Sequence, residues 1–292
     1  MGLLRVDITG RVLGVLLTAE VAVILAETVS GLAHPAGGHL SLATLSPTVL
    51  GSAGFGTFGA LAVVAVLGFV GFEQAPVLAE EARHPRRTIP VATYVALGAI
   101  AVVYAGASWA MAVHEGQAHV VTAAGKDGPG LLFGLGGGAV SQLAQVLFLT
   151  SLFAAALAFH NCCWRYMYAL GREGVLPAAL GRTGANNIPK TASLVQSLTG
   201  LVTIVVYAIG GWQPTTNLFF WLGTTGGFGI LVLLALTAVA IIVFFNRDPR
   251  GESTWVRMTA PTVAAVLLTG IVVLAVLHYN TLLGVPAGSA AA

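Results

Sequence analysis

Seven long apolar stretches run through this chain, and they constrain its fold more than any other feature. A helix needs about 20 mostly apolar residues to cross about 30 Å of bilayer hydrocarbon. The stretches that meet this requirement are Val12–Leu32, Gly56–Ala79, Val91–Val113, Val140–Tyr166, Ala192–Gly210, Leu218–Phe245 and Met258–Tyr279. Backbone groups inside a bilayer must be satisfied within their own segment, which favours helices over a barrel of short strands. The sequence therefore predicts an all-α polytopic membrane protein with about seven transmembrane helices.

The composition is typical of an integral membrane protein, because only 8% of the residues are charged and 57% are hydrophobic. Soluble domains carry about 25% charged residues. The formal net charge of +2 is too small to indicate binding to nucleic acid. Cys162 and Cys163 follow His160 and Asn161, and four consecutive residues splay around a helix axis rather than converge on zinc. We therefore expect no metal and no cofactor, and we interpret the cysteines as small apolar residues near a helix end.

The distribution of basic residues predicts the orientation. Twelve of the thirteen Lys and Arg residues fall on one side of the predicted spans: Arg5, Arg11, Arg83, Arg86, Arg87, Arg165, Arg172, Arg182, Lys190, Arg247, Arg250 and Arg257. Only Lys126 falls on the other side. Since cytoplasmic loops carry the excess of Lys and Arg, we expect a multi-pass protein of the cell membrane with its N-terminus in the cytoplasm and its C-terminus outside.

The second stretch runs into "GFVGFEQAPVLAEEARHPRRTIP", residues 68–90, where glycines interrupt an apolar segment. Gly68 and Gly71 permit close helix packing through small residues, or they mark a discontinuous helix whose freed backbone groups bind a substrate. Glu73 follows directly, and a carboxylate at membrane depth marks a functional site by default. Pro76 removes a further backbone donor. Together these residues favour the discontinuous helix.

Glu20 lies at the centre of the first stretch, and we take Glu20 and Glu73 as the only carboxylates inside the membrane. Such a carboxyl could carry a proton, or it could form a hydrogen bond to another helix and serve packing. Without a mid-span histidine partner or a metal cluster, an intramembrane enzyme is not expected. Four hydroxyls also lie at membrane depth, and we expect each to bond its own helix: those of Thr150, Ser151, Thr224 and Thr225.

Two long motifs resemble the signatures of amino acid–polyamine–organocation (APC) permeases. Residues 68–90 are similar to the end of the sixth helix in that family, including E-E-x-x-x-P-x-R-x-I-P. The segment "HNCCWRYMYALGREGVLP", residues 160–177, resembles the end of the eighth helix and the loop after it. The start, "RVDITGRVLGVLLTAEVAVILAE", looks like the fifth helix. The seven stretches then correspond to helices five to eleven.

The resemblance implies a core of two inverted five-helix repeats, in which an amino acid or related amine lies between the broken first and sixth helices. It places the unwound, substrate-binding segment at Leu67, Gly68, Phe69, Val70 and Gly71 and adds Glu73. Many relatives carry an aromatic lid at the position of Leu67. The position of Glu20 is similar to that of a lysine which replaces sodium in proton-coupled relatives. We therefore expect coupling to protons through Glu20.

The first four helices of the family are missing from this chain, which we interpret as one truncated permease domain over residues 1–292. The expected function is secondary active transport of an amino acid or amine, although the short chain alone is not expected to transport. A non-transporting subunit or remnant that docks on another permease half, supplied by a second membrane chain, is the alternative. A retinal protein is excluded, because Lys126 and Lys190 both lie outside the middle of a span.

Overall fold

The computed structural model describes residues 6–46, 61, 63–184, 189–283 and 285, with side chains from Val12 onward other than those at 80, 81 and 281. The helices are α1 (Val6–Ala33), α2 (Pro85–Glu115), α3 (Val120–Asp127), α4 (Gly130–Phe133), α5 (Gly138–Arg172), α6 (Lys190–Ile209), α7 (Gly223–Arg247), α8 (Ala260–Leu277) and α9 (Tyr279–Leu282). Short 3₁₀ helices cover Ala43–Leu45 and Phe72–Glu81, and π-helical turns cover Pro214–Leu222 and Trp255–Thr259.

Six helical segments among the described residues are long and apolar enough to cross a membrane. They are Val12–Ala33, Pro85–Glu115, Gly138–Arg172, Lys190–Ile209, Pro214–Arg247 and Trp255–Leu277. Their large apolar side chains face outward, as at Val102, which is 70% exposed, and Leu267, which is 61% exposed. Exposed apolar surface on this scale suits contact with lipid rather than water. The predicted all-α polytopic membrane fold is confirmed.

The second predicted stretch, Gly56–Ala79, is described only in part. Residues 56–60 and 62 lie outside the described residues, as do Arg5 and the side chain of Arg11. What the structure describes is a shorter apolar helical segment over Val63–Ala79. The other spans begin or end up to six residues away from their predicted bounds, and most are longer, although Lys190–Ile209 and Trp255–Leu277 end one and two residues before the predicted Gly210 and Tyr279. Apolar character alone does not mark where a helix leaves the hydrocarbon.

The chain divides into two compact units. The first contains the described residues up to Ser46 and from Phe72 to Ile204. Within it, α1 packs against both α2 and α5, and the short α4 also packs against α1. The 3₁₀ helix Phe72–Glu81 packs against α2 and α5. The second unit contains the described residues between 61 and 71 and those from Val205 onward. Within it, α7 packs along α8.

The structure interrupts the helix at the glycines. The amide of Gly68 donates to the carbonyl of Val64, four residues back, at 3.0 Å, whereas the amide of Phe69 donates to Val66, three residues back, at 3.0 Å. Gly71 then adopts a φ of 118°, which side chains rarely tolerate. The chain continues as the 3₁₀ helix Phe72–Glu81 with Pro76 inside it. The predicted interruption is therefore present, and its local cause is glycine.

The end of α5 shows what the second motif does for the fold. The amides of Val175 and Leu176 both donate to the carbonyl of Leu170, at 3.0 and 3.1 Å, and Gly174, directly before them, has a φ of 77°. This left-handed glycine ends the helix and turns the chain back. Gly171 then lies so close to Gly181 that a Cβ on Gly171 would meet the Gly181 nitrogen at 2.5 Å. The glycines of the motif thus permit a close approach of two backbones.

Candidate functional site

The predicted substrate segment, Leu67 to Gly71, forms the end of the helix and the turn that follows it in the second unit. The amides of Gly68, Phe69 and Val70 donate within the turn, the last of them to the carbonyl of Leu67 at 3.2 Å. Each carbonyl oxygen in the turn has two lone pairs and can accept more than one hydrogen bond. In this conformation the turn therefore offers acceptors suited to an ammonium group more readily than donors suited to a carboxylate.

Leu67 packs against α7 at a glycine. A Cβ placed on Gly227 would meet the Cδ2 atom of Leu67 at 2.9 Å, so the Leu67 side chain occupies the space that a larger residue at 227 would need. Two residues away, Gly229 has open space around its Cα, with nothing within 4 Å of a Cβ placed there. The glycine at 227 therefore allows the helix end at Leu67 to approach α7 closely.

The residues after the break belong to the first unit, and a cross-helix contact fixes them there. The thiol of Cys162 on α5 donates to the Oε1 atom of Gln74 at 2.9 Å. Gln74 is the neighbour of Glu73, whose side chain is half-buried. Our interpretation of Cys162 as merely a small apolar residue was incomplete, because sequence alone did not pair it with Gln74. This contact fastens the 3₁₀ helix to α5.

Glu20 is hydrogen-bonded to a neighbouring helix. The Ser151 hydroxyl on α5 donates to Oε2 of Glu20 at 2.8 Å. The other oxygen of Glu20, Oε1, is buried and has no hydrogen-bond partner among the described residues. The carboxyl group therefore has one oxygen hydrogen-bonded across two helices and one without a partner among the described residues. The prediction that Ser151 would bond its own helix is wrong.

The structure also corrects the prediction that Glu20 and Glu73 are the only interior carboxylates. Glu27, on the same helix as Glu20, is 0% exposed, whereas Glu20 and Glu73 are only half-buried. The amide of Gly136, in the segment between α4 and α5, donates to Oε2 of Glu27. Any Cβ on Gly136 would lie 2.8 Å from that same oxygen. The sequence signal was a second carboxylate seven residues after the first, inside one apolar stretch.

The remaining polar side chains in the spans behave mostly as predicted. Thr150 donates to the carbonyl of Leu147 at 2.8 Å, within its own helix. Thr225 donates to Trp221 at 2.8 Å and also lies 2.7 Å from the hydroxyl of Tyr279, so it joins α7 to α9 as well.

Three of the four consecutive residues that begin at His160 contact different partners. His160 lies 3.3 Å from the hydroxyl of Ser193, and Asn161 accepts from Trp164 at 3.2 Å, while Cys162 bonds Gln74. Side chains with three separate partners do not converge on one ion, as expected for neighbours on a helix.

A cavity of about 250 Å³ lies within the first unit, between the loop after α1 and the end of α2. His39, Ser41 and Thr44 line it, together with Gln117. Small-molecule sites usually measure about 300–1,000 Å³ and are largely enclosed. This cavity is smaller and contains none of the predicted site residues, so we do not assign it to the substrate.

The fold and these contacts define a polytopic α-helical membrane protein with an interrupted span and carboxyl groups held between its helices. The chain belongs to the amino acid permease family, whose model matches residues 12–290. This match confirms the resemblance to amino acid permeases that the two motifs indicated.

One relative is the "Branched-chain amino acid permease BcaP" of Lactococcus lactis subsp. cremoris (strain MG1363). It is 26% identical over 269 residues, which cover 89% of this chain and 54% of the relative. The chain therefore spans about half the length of the curated relative that it matches. No solved structure matches the chain.

Proposed function

We propose that this chain contributes to a secondary active transporter that moves an amino acid or related amine across the membrane. The observation that carries the proposal is the interrupted helix at Gly68–Gly71, with its positive φ at Gly71, in a chain of the amino acid permease family. Interrupted helices in transporters use their freed backbone groups as ligands for charged substrate groups. Transport, rather than chemical conversion of the substrate, is the activity that this arrangement serves.

The proposed substrate-binding residues are Leu67, Gly68, Phe69, Val70 and Gly71, joined by Glu73. The backbone carbonyls of the turn would accept hydrogen bonds from the ammonium group of the amino acid. Leu67, Phe69 and Val70 bring apolar side chains, which suit an aliphatic substrate side chain. The relative's name supports branched-chain amino acids as the first substrates to test.

Proton coupling through Glu20 is the proposed energy source. One oxygen of Glu20 accepts from Ser151, while Oε1 has no partner among the described residues and can take a proton. Gain and loss of a proton would alter how the Glu20 carboxyl group accepts the hydrogen bond from α5. Sodium coupling is less well supported, because the sequence shows no recognisable sodium site.

The proposed topology has the N-terminus in the cytoplasm and the C-terminus outside the cell membrane. It rests on the twelve basic residues that share one side of the spans. Fusion of alkaline phosphatase, which is active only outside the cytoplasm, to the C-terminus should give enzyme activity in intact cells. A C-terminal fusion that stays inactive while an N-terminal fusion is active would reverse the topology.

Uptake measurements test the transport proposal. The full-length protein, or this chain together with any membrane chain that co-purifies with it, is reconstituted in vesicles, and accumulation of labelled leucine, isoleucine and valine is followed under an inward proton gradient. Gly68→Leu should abolish uptake, because a branched side chain fills the interruption, while the amount of protein inserted stays the same. Gly229→Leu is the matched control, since Gly229 lies on α7 with open space around it. Unchanged uptake in Gly68→Leu would remove the turn from the mechanism.

The alternative function is a non-transporting subunit or remnant that docks on another permease half. It is favoured by the 54% of the relative's length that the chain covers. An immunoblot of membranes from the source cells, with an antibody to the C-terminal tail, compares the native size with the calculated 29.8 kDa. A band near that mass with a co-purifying second membrane chain supports the subunit. A larger band would contradict the short subunit, and the uptake assay would then be carried out on the longer protein.

A further inference from the structure

The most deeply buried charged residue of the described chain is Glu27, which the transport proposal does not use. Its side chain is 0% exposed, and it lies on the outer half of α1. The amide of Gly136 donates to Oε2 of Glu27, whereas Oε1 is buried without a hydrogen-bond partner among the described residues. An ionised carboxylate in this position would leave one charged oxygen unsatisfied, which is expensive in a low-dielectric environment.

A protonated carboxyl group fits the same geometry without that penalty. Its carbonyl oxygen, Oε2, accepts the Gly136 amide, and the proton resides on Oε1. The neutral form removes the charge from the interior and keeps the one hydrogen bond that the surroundings supply. The environment of Glu27 is therefore that of a carboxyl group which binds a proton in this conformation.

Other titratable groups near the outer half of α1 do not supply a countercharge. On this part of α2 the titratable residues are Tyr104, His114 and Glu115. The Nε2 atom of His114 lies 4.0 Å from Oε1 of Glu115, so the carboxylate that pairs with His114 is Glu115. Helix α4, the segment 134–137 and the first half of α5 contain no titratable residue. On α1 itself the titratable neighbours are Glu20 and, at the outer end, His34.

Glu27 and Glu20 lie on the same face of α1, because seven residues make nearly two complete turns. The rise between them is about 10 Å, so protons would pass between them through water rather than by a direct hydrogen bond. Ser30, three residues further out, donates to the carbonyl of Leu135 at 2.9 Å. His34 then marks the exposed outer end of this polar face. In the proposed topology this face runs from the outer surface toward Glu20.

We propose that Glu27 is a second proton-binding carboxyl group, placed in series between the outer surface and Glu20. A proton from the outer aqueous side forms the O–H bond on Oε1, and release of that proton toward Glu20 restores the carboxylate. This inference rests on the proposed proton-coupled transport and assigns a residue that the proposal lacks.

Infrared spectroscopy of the purified full chain in lipid tests the protonation of Glu27 without requiring transport. The wild-type chain should show a protonated-carboxyl stretching band near neutral pH, and Glu27→Gln should lose it. Glu27→Asp, which retains a carboxyl group, should shift the band rather than abolish it. Glu115→Gln is the control, because that carboxylate is partly exposed and its removal should leave the band unchanged. Identical bands in the wild type and Glu27→Gln would overturn the proposal.

A second measurement assigns the proton to transport. In vesicles, Glu27→Gln should lose accumulation driven by a proton gradient, while exchange of labelled for unlabelled substrate at equal pH persists. Normal gradient-driven accumulation in this variant would overturn the role in series with Glu20. If the wild-type chain, reconstituted with any membrane chain that co-purifies with it, accumulates no substrate, the transport proposal fails on that observation, and the infrared band still decides whether Glu27 binds a proton.

Discussion

The hydroxyl of Ser151 donates a 2.8 Å hydrogen bond to Oε2 of Glu20 and thereby joins α5 to α1. The other oxygen of the Glu20 carboxyl group has no hydrogen-bond partner among the described residues. Helix pairs in lipid gain little from hydrophobic association, because lipid tails are as apolar as the helices. Hydrogen bonds of this kind therefore help to determine which helices pack together.

Replacement of Ser151 by Ala should destabilise the packing of α1 against α5. It leaves both Glu20 oxygens without a described partner, and we expect a loss of about 1 kcal/mol. That value lies between about 0.6 kcal/mol for an average interhelical bond in a membrane protein and about 1–3 kcal/mol for an unsatisfied buried group. Unfolding of the purified chain in detergent measures it. Thr150→Ala is the control, because the Thr150 hydroxyl bonds only its own helix, and a loss as large as that of Ser151→Ala would contradict the assignment.

Gly171→Ala should destabilise the turn at the end of α5. The new Cβ would lie 2.5 Å from the nitrogen of Gly181 and 3.0 Å from the carbonyl carbon of Leu180, both backbone atoms that cannot rotate away. Overpacking of this kind costs about 1–3 kcal/mol. Gly200→Ala, on α6 with nothing within 4 Å, should be neutral or slightly stabilising. Equal unfolding midpoints for the two variants would show that the backbones do not approach as described.

Cys162→Ala should loosen the 3₁₀ helix Phe72–Glu81 by removing the donor to Gln74. A single hydrogen bond contributes about 1 kcal/mol, so we expect faster amide exchange in that segment, measured by hydrogen–deuterium exchange. Cys162→Ser retains a hydrogen-bond donor and should preserve most of the protection. Cys163→Ala removes the adjacent thiol and serves as the matched control. If exchange became faster in Cys163→Ala but not in Cys162→Ala, the residue that anchors the 3₁₀ helix would be Cys163 and not Cys162.

Asp248, just beyond the end of α7, predicts a weak dependence of stability on acid pH. The hydrogen bond from the Arg250 side chain, 2.9 Å from Nε to Oδ2, lowers the pKa of Asp248. A carboxyl group whose pKa falls on folding stabilises the protein above its ordinary range, and the stabilisation is lost as pH falls through the lowered value. Asp248 is fully exposed, so solvent screens the effect and keeps it small.

The test is the unfolding midpoint of Asp248→Asn measured across acid pH. The stability of the wild type should decrease as pH falls below the ordinary aspartate range, and the stability of the variant should decrease slightly less. Asp127→Asn is the control, because Asp127 is an exposed residue at the end of α3 without an ion pair in the described part of the chain. An unchanged acid limb in Asp248→Asn, equal to that of Asp127→Asn, would show that Arg250 does not stabilise the carboxylate.

Much of the fold follows from local rules that can be applied to the sequence directly. The spans were predicted because a run of about 20 apolar residues in lipid must satisfy its own backbone as a helix. The interruption at Gly68 and Gly71 was predicted because a carboxylate at membrane depth, Glu73, follows the two glycines and Pro76 cannot donate a backbone hydrogen bond. The substrate-binding role of Leu67 to Gly71 and Glu73 stays a prediction, since the backbone turn alone does not identify a ligand.

The contacts between helices could not be predicted in the same way. A span that is apolar on every side gives no periodicity to indicate which face turns toward protein and which toward lipid. For this reason the sequence did not reveal that Glu27 is buried against Gly136, or that Ser151 reaches Glu20 rather than its own helix.

The sequence by itself thus determined the helical spans, the interruption and the glycines that permit it, because each depends on backbone properties of a few adjacent residues. Only the tertiary structure decided which polar side chains meet, as with Cys162 and Gln74, which are 88 residues apart. Such contacts depend on the rotation and register of whole helices against one another. These are determined by the packing of many side chains at once, which no local pattern records.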